Sequence, residues 1–330
     1  MIDDTTAGGV MRVLDYIKTS PEMAELAEHR FESVKRGRVS LRRYDCDVIV
    51  SHLAISWQTL PALFAIRMAN RVRRYVHVEH SYTEGFVHHN VPNLRRFHAL
   101  LRLGFSMFDT VVAVSHAQCD WLKRARLCPE RKLIVIRSCV DLTAFEILKP
   151  TRRTPKVIGA IGRLDRQKGF DTLIQGFRAI PADDVALHIY GTGDELEALQ
   201  TLANGDPRIQ FKGFSQDPVQ IYAEVDVVVV PSRWEAYGLV AVESLCAGRS
   251  VLCADVDGLK DHREFGAMFL EDPSAHCIGL ALREILSETD IKTCNGQKHI
   301  RTTAEAAFHR DWKTLLEFRN TVRNETGVMT

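Results

Sequence analysis

Polar and apolar positions follow two periods along this chain. From residue 45 onward, short β-branched runs alternate with amphipathic stretches of helical length, the pattern of strands joined by helical crossovers. In the first half the strand-like runs are DVIVS (47–51), RRYVHVEH (73–80), TVVAVS (110–115) and KLIVIR (132–137). Helices are expected between them near 57–70, 92–107 and 116–126. Strands connected this way pair in parallel and are covered on both faces. The segment LKPTRRTPK (148–156) then breaks the alternation with two prolines and four basic residues, and reads as a linker. Beyond it the pattern restarts with VIGAIG (157–162), VALHIYG (185–191), RIQFKG (208–213), VDVVVVPS (225–232), SVLCADV (250–256) and AMFLED (267–272). Leu173, Ile174, Phe177 and Ile180 recur at helical spacing, which predicts a helix over 170–180 lying on this second sheet.

The expected architecture is α/β, with two doubly wound parallel-sheet domains: residues 1–150, then 151–307, with 308–330 forming a closing helix. That helix carries Trp312, Leu315, Leu316 and Phe318 within two turns and is placed to cross back onto the first domain. The start of the chain departs from the pattern. Gly8-Gly9 resembles a strand-to-helix phosphate loop, yet only MIDD precedes it, and residues 20–44 contain no β-run. A shortened first sheet is expected, its edge exposed or covered by another chain.

Composition narrows the classes. Hydrophobic content of 45% with 26% charged residues describes a folded globular protein without a disordered tract. No apolar run approaches the ~18 residues of a spanning helix, and the N-terminus lacks the basic and apolar regions of a signal peptide, so a cytoplasmic location is expected. The eight cysteines form no C-x-x-C pair and read as reduced core thiols, and no Cys/His set has zinc-ligand spacing. Residues 1–150 carry 22 basic and 16 acidic side chains, whereas the remainder carries 21 and 26. A basic first half suits an acidic surface such as a membrane or an anionic acceptor, or reflects clustered, solvated arginines. NLRRFHALLRLGFSMF (93–108) has the same two readings, an interfacial helix or a core-facing helix with arginines outward.

Ligands of open parallel sheets bind beyond the carboxyl ends of the strands, so the loops there hold the candidate chemistry. Arg163 and Lys168 lie in GRLDRQKGF ahead of a helix, where two cations make a diphosphate site or a pair of solvated charges. Gly191 and Gly193 in GTGD allow close backbone approach, or simply a turn. PSRWEAYGLVAVESLCAG (231–248) sets Glu235 in a loop and Glu243 two turns into an apolar helix, with the amides of 236–239 at its start. A carboxylate among Val242 and Leu245 costs several kcal/mol unless paired or hydrogen-bonded, so the acids either bind a hydroxyl-rich ligand or cap and bridge the helix. Glu79, His80, Ser81 and Tyr82 end a strand in the first half, where a lone histidine is structural or catalytic, and Gly8-Gly9 with Arg12 forms a second candidate loop.

Together AGGVMR, IGRLDRQKGFDTLI, IYGTGDELEAL, IQFKGF and IYAEVDVVVVPSRWEAYGLVAVESLCAG resemble the retaining glycosyltransferases of family 4, which have the GT-B fold of two Rossmann-like domains facing a cleft. The likeness is strong over 157–260 and weaker but in register over 1–150. It matches the family's E-x7-E signature to Glu235 and Glu243, and its donor motif to Gly162, Arg163, Leu164, Lys168 and Gly169. The resemblance implies a nucleotide-diphosphate sugar as donor, with no further cofactor and no metal. It implies Arg163, Lys168 and the amides around Ala236, Tyr237, Gly238 and Leu239 on the diphosphate, with Gly9 behind it. Gly162, Gly191 and Gly213 fall at the donor pocket, Glu243 on the ribose, and Glu235 and His80 on the transferred sugar. Catalytic work would fall to Glu235, His80, Arg163 and Lys168, on a glycan or lipid-linked acceptor rather than a nucleic acid.

Where the family has Asn-Gly, Gly-Gly and Glu, this chain has Ser138-Cys139, Asp257-Gly258 and Asp261. Two D-x-D strings, Asp45-Cys46-Asp47 and Asp255-Val256-Asp257, lie at strand boundaries and are the candidate metal ligands. A catalytically weak or partner-dependent member of the family is the alternative. A sugar-nucleotide epimerase shares the fold but lacks the EAYGL loop.

Overall fold

The computed structural model describes residues 1–2, 8–35, 37–149, 155–215, 217–287 and 296–317. In chain order the first elements are α1 (Gly9–Thr19), α2 (Pro21–Leu26), β1 (Val48–Ser51), α3 (Leu60–Ala69), β2 (Arg74–Glu79), α4 (Glu84–Asn90), α5 (Leu94–Ser106), β3 (Thr110–Ala113), α6 (His116–Arg124) and β4 (Leu133–Val135). There follow β5 (Val157–Ile161), α7 (Phe170–Arg178), β6 (Ala186–Tyr190), α8 (Leu196–Ala203), β7 (Ile209–Gly213) and α9 (Pro218–Glu224). The last are β8 (Val227–Val230), α10 (Leu239–Cys246), β9 (Ser250–Ala254), β10 (Met268–Leu270), α11 (Ala275–Ser287) and α12 (Gln297–Glu317). The chain divides into two compact units. The first is Met1–Tyr82, Val91–Asp141 and the chain from Thr303; the second is Thr83–Asn90 with Leu142–Thr302. The division after Asp141 precedes the Pro/Arg segment 148–156, of which 150–154 lie outside the described residues.

Unit 1 holds a parallel sheet in the order β1-β2-β3-β4. A sheet that grows in one direction through right-handed crossovers receives its connecting helices on one face only. The two-residue period of β2 shows both faces. Tyr75 donates its hydroxyl to Asn70 O at 2.8 Å beyond α3, and the His77 ring lies 5.7 Å from Phe105 of α5. Val78 faces the other way, onto a water-sized cavity of about 10 Å³ that it shares with Val13 and Ile17 of α1 and Phe308 and Trp312 of α12. Helices from the two ends of the chain thus cover the face that the crossovers leave bare, and Tyr16 of α1 meets His309 of α12 at 3.0 Å. β3 stops at Ala113 because Ser115 turns to cap α6, accepting from Gln118 N at 3.1 Å.

The free edge expected beside β1 is covered by this chain itself. Met1 N donates to Val50 O (2.7 Å), and His52 N donates to Met1 O (2.9 Å). Ile2 then bridges Ser33 in parallel, with Val34 N donating to Ile2 O at 2.8 Å. Single-residue ladders therefore stand where full strands were missing, because backbone groups at a buried edge need partners even where no β-run exists. Met1 and Ile2 thus lie between Ser33 and β1.

Unit 2 is a six-stranded parallel sheet in the order β10-β9-β8-β5-β6-β7. Its direction reverses between β5 and β8, the doubly wound order in which the crevice lies beyond the carboxyl ends of those two strands. Val227–Val230 are all buried, which is why that run reads as continuously apolar. One face of the sheet packs on Leu173, Ile174 and Phe177 of α7 and Ile278 and Leu282 of α11, all fully buried. Burial of each such side chain stabilises the unit by about 1.5–3 kcal/mol.

Candidate active site

The two loops at the reversal of the unit 2 sheet, 162–169 after β5 and 231–238 after β8, carry the residues singled out in the sequence. Lys168 Nζ donates to Glu235 Oε2 at 2.5 Å, with side chains 17% and 14% exposed. Ser232 Oγ lies 3.5 Å from the same oxygen. The loops are laced together around this pair. Arg233 N donates to Gln167 O (2.7 Å), Gln167 Nε2 to Trp234 O (3.0 Å), and Arg233 Nη1 to Arg166 O (2.7 Å). Arg233 also pairs with Asp171 at 2.6 Å, so the α7 N-terminus is tied to the β8 loop. A charge-assisted pair supported by backbone bonds on both sides is preorganised.

Arg163 stands apart from that cluster. Its guanidinium pairs with Asp165 at 3.2 Å, its side chain is 70% exposed, and Gln167 Oε1 accepts from it at 3.4 Å. Gly162 lies under the Lys168 stem: a Cβ there would be 3.2 Å from Lys168 Cε. Gly191 shows the closest backbone approach, because a Cβ would sit 1.8 Å from Gly162 O and its φ is 141°. Gly191 N donates to Gly213 O at 2.8 Å, so the ends of β5, β6 and β7 are packed main chain against main chain.

α10 begins at Leu239 with Gly238 as its N-cap and no side-chain cap, so its first amides carry the partial positive charge of the helix end. Ala236 and Tyr237 precede it. Tyr237 is buried against His262, rings 4.7 Å apart, and Tyr237 O accepts from His262 Nε2 at 2.8 Å. That bond sets the tautomer of His262 and holds the turn. Glu243 is 1% exposed, and its Oε2 accepts from Tyr222 of α9 at 2.9 Å. The two acids of the signature therefore sit in different settings: Glu235 on the loop with Lys168, Glu243 inside the helix layer with Tyr222.

In unit 1, His80 follows β2 and its Nε2 lies 2.9 Å from His52 Nδ1, the rings stacked 5.2 Å apart. Burial pushes the His80 imidazole down to about 4, and burial together with His80 holds His52 well below the usual histidine range. One of two neutral rings donates and the other accepts. Glu79 fixes the turn that presents His80: Oε1 accepts from Ser81 N (2.7 Å) and Tyr82 N (3.0 Å), and Oε2 meets His77 at 3.4 Å. Gly9 is the first residue of α1, with Gly8 as an uncapped N-cap.

The D-x-D string at 255–257 points its acids at protein partners. Asp255 pairs with Arg263 at 3.0 Å, and Asp257 accepts from Thr83 Oγ1 at 2.6 Å. Burial pushes the Asp257 carboxyl up, while its bonds from Thr83, Gly85 and the Glu235 amide pull it down. Residues absent from the sequence reading are His52, Gln167, Asp171, Tyr222, Arg233 and His262. Only Asp257 left a signal, as an acid where the family pattern has glycine.

In α5, Leu100, Leu101, Gly104 and Phe105 are buried on the core side, while Leu94 and Leu103 are exposed.

A parallel doubly wound unit with a Lys–Glu pair at its reversal, following a second parallel unit, defines an α/β protein of Rossmann-like architecture. The family model for "Glycosyl transferases group 1" matches residues 155–287, and that for "Glycosyltransferase Family 4" matches residues 7–144. The chain belongs to this glycosyltransferase family. An uncharacterized glycosyltransferase of Methanocaldococcus jannaschii is 30% identical over 141 residues, 40% of this chain and 36% of the relative. Glycogen synthase of Streptococcus pneumoniae is 32% identical over 117 residues, 34% of this chain and 24% of the relative. The matched segments thus span only a quarter to just over a third of these relatives. The fold is that of GT-B glycosyltransferases. Sucrose-phosphate synthase from Thermosynechococcus elongatus superposes with a TM-score of 0.64 at 21% identity, over 84% of this chain and 73% of that one. Anabaena HepE, solved in complex with UDP-glucose, superposes with a TM-score of 0.64 at 20% identity, over 84% and 79%.

Proposed function

We propose that the chain transfers a hexose, with retention of configuration and without a metal, from a UDP- or GDP-sugar to a glycan or lipid-linked acceptor in polysaccharide or cell-envelope glycan synthesis. The observation that carries this is the Lys168–Glu235 pair at the reversal of the unit 2 sheet, beside the uncapped start of α10. In HepE the same fold holds UDP-glucose. On binding, the donor diphosphate takes Lys168 and the first α10 amides, and Glu235 turns to hydroxyls of the sugar. The C1–phosphate oxygen bond breaks as the C1–acceptor oxygen bond forms on the same face, and the acceptor proton passes to the departing diphosphate oxygen. Lys168, with Arg163 swinging from Asp165, stabilises charge on that leaving group, which is where preorganised electrostatics contribute most. Glu243 contacts the ribose.

The test is release of nucleoside diphosphate from a panel of UDP- and GDP-hexoses, with and without oligosaccharide or polyprenyl-phosphate acceptors, and the anomeric configuration of the product by NMR. Inversion would overturn the mechanism, and nucleotide binding without any turnover would favour the catalytically weak alternative.

Contact with an anionic membrane at its cytoplasmic face is part of the same proposal. Trp57, Phe64 and Met68 are 51%, 58% and 67% exposed around α3, and Arg96 stacks 5.7 Å over the Trp57 ring. Aromatic and aliphatic side chains flanked by arginine suit a lipid interface. Sedimentation with phosphatidylglycerol vesicles at low salt is expected, and loss of it in Phe64→Ser/Met68→Ser; a protein that stays in the supernatant would remove this part.

A further inference from the structure

Asp257 sits with φ at 39°, the left-handed region that a glycine occupies freely and that other residues occupy only when their surroundings hold them there. Its carboxylate meets three donors. Oδ2 accepts from Thr83 Oγ1 at 2.6 Å and from Glu235 N at 3.3 Å, and Oδ1 accepts from Gly85 N at 3.0 Å. The next residue completes the arrangement, because Gly258 N donates to Glu235 O at 2.9 Å. One dipeptide therefore holds both main-chain groups of Glu235.

The strap 83–90 comes down tightly on the same place. A Cβ at Gly85 would lie 2.6 Å from Asp257 Oδ2 and 2.9 Å from Trp234 Cβ, so no larger residue fits. Trp234, the neighbour of Glu235, packs edge-on against Phe86 (6.1 Å) and tilted against His89 (5.5 Å). Thr83 Oγ1 accepts from Phe86 N at 3.0 Å while donating its hydrogen to Asp257.

We propose that Asp257 is a positioning residue for the transfer reaction, a clasp that fixes the main chain of Glu235 and docks the 83–90 strap onto the loop carrying it. A glycine at 257 would reach the same backbone shape, but the amides of Glu235 and Gly85 and the Thr83 hydroxyl would lose their shared acceptor. The role in turnover rests on the glycosyltransferase reading above; the clasp itself does not.

Two readouts separate these. Hydrogen exchange by mass spectrometry follows peptides over 83–90 and 231–239, and steady-state kinetics with a nucleotide sugar follows turnover, in Asp257→Gly, Asp257→Asn, Thr83→Val and Thr83→Ser. In Asp257→Gly both segments are expected to exchange at least about tenfold faster while the strand amides keep wild-type protection. Its kcat is expected to fall at least about tenfold with KM for the donor within about twofold, the signature of a lost transition-state arrangement rather than lost binding. Thr83→Val loosens 83–90 with a smaller loss of kcat, and Thr83→Ser restores both. Wild-type exchange of the two segments in Asp257→Gly overturns the clasp, and unchanged kcat overturns its part in the reaction. If Asp257→Gly does not fold, Asp257→Asn and Thr83→Val decide by the same criteria. If the wild-type protein turns over no nucleotide sugar while the exchange result holds, the reaction reading fails and the clasp stands.

Discussion

Replacing Lys168 by methionine keeps the stem that lies over Gly162 and removes only the charge. At 2.5 Å and an effective dielectric near 20, the Coulomb attraction to Glu235 is on the order of 7 kcal/mol before desolvation is counted. Both side chains are less than a fifth exposed, so most of that attraction offsets the cost of burying them. Deleting one partner leaves the largely buried Glu235 carboxylate with only Ser232 Oγ at 3.5 Å as a weak donor. The expected loss is about 3 kcal/mol, the lower end of what breaking a buried pair costs. Lys168→Met/Glu235→Gln should recover about 2 kcal/mol of it by urea denaturation, because no unpaired charge is then left buried. Turnover behaves differently: it should fall by about 10²–10³ in Lys168→Met and not recover in the double variant, because the cation facing the leaving diphosphate is still missing. A Lys168→Met protein as stable as wild type, or a double variant no more stable than the single, would refute the reasoning on stability. Wild-type turnover in either would refute the assignment of the site.

Glu243→Ala takes this acceptor from the buried Tyr222 hydroxyl and should cost about 1–3 kcal/mol, while Tyr222→Phe takes a donor from the buried Glu243 carboxylate and should cost at least as much; weaker nucleotide binding by calorimetry in Glu243→Ala but not in Tyr222→Phe separates the ribose role from the structural one. Gly191→Ala forces a methyl into Gly162 O at a φ of 141°, so the variant should be recovered mainly as insoluble protein, and a soluble variant with a wild-type urea midpoint would show that the loop has room. His80 is lowered to about 4 from an unfolded value near 6.5, so the unfolded chain binds a proton that the folded one refuses between those values. Stability should therefore fall as pH drops from about 7 towards 4, and His80→Asn should flatten that part of the urea-midpoint profile.

Element positions were legible because each rests on a period within a few contiguous residues. The run 225–232 is apolar at every position because both faces of β8 are covered, and 170–180 shows its stripe because one face of α7 meets the sheet. Lys168 and Glu235 were legible by their motifs, and the structure places them on one another. The paired edge beside β1 was not, since Ile2 and Ser33 contribute one residue each and a one-residue ladder has no period. Nor was the start of α12, which begins at Gln297, ahead of the apolar cluster that announced it.

The amino-acid sequence by itself determined the α/β alternation, the family, the loops that carry Lys168 and Glu235 and the helix that carries Glu243, because these depend on side-chain type at short spacing. Tertiary structure decided that Glu243 turns to Tyr222, that Arg163 stays with Asp165, and that Asp257 grips Thr83, 174 residues away along the chain. Hydrogen bonds and burial are settled by which backbones the sheet order brings within about 3 Å of one another. That order is a property of the folded chain and leaves no periodic trace in any window of its sequence.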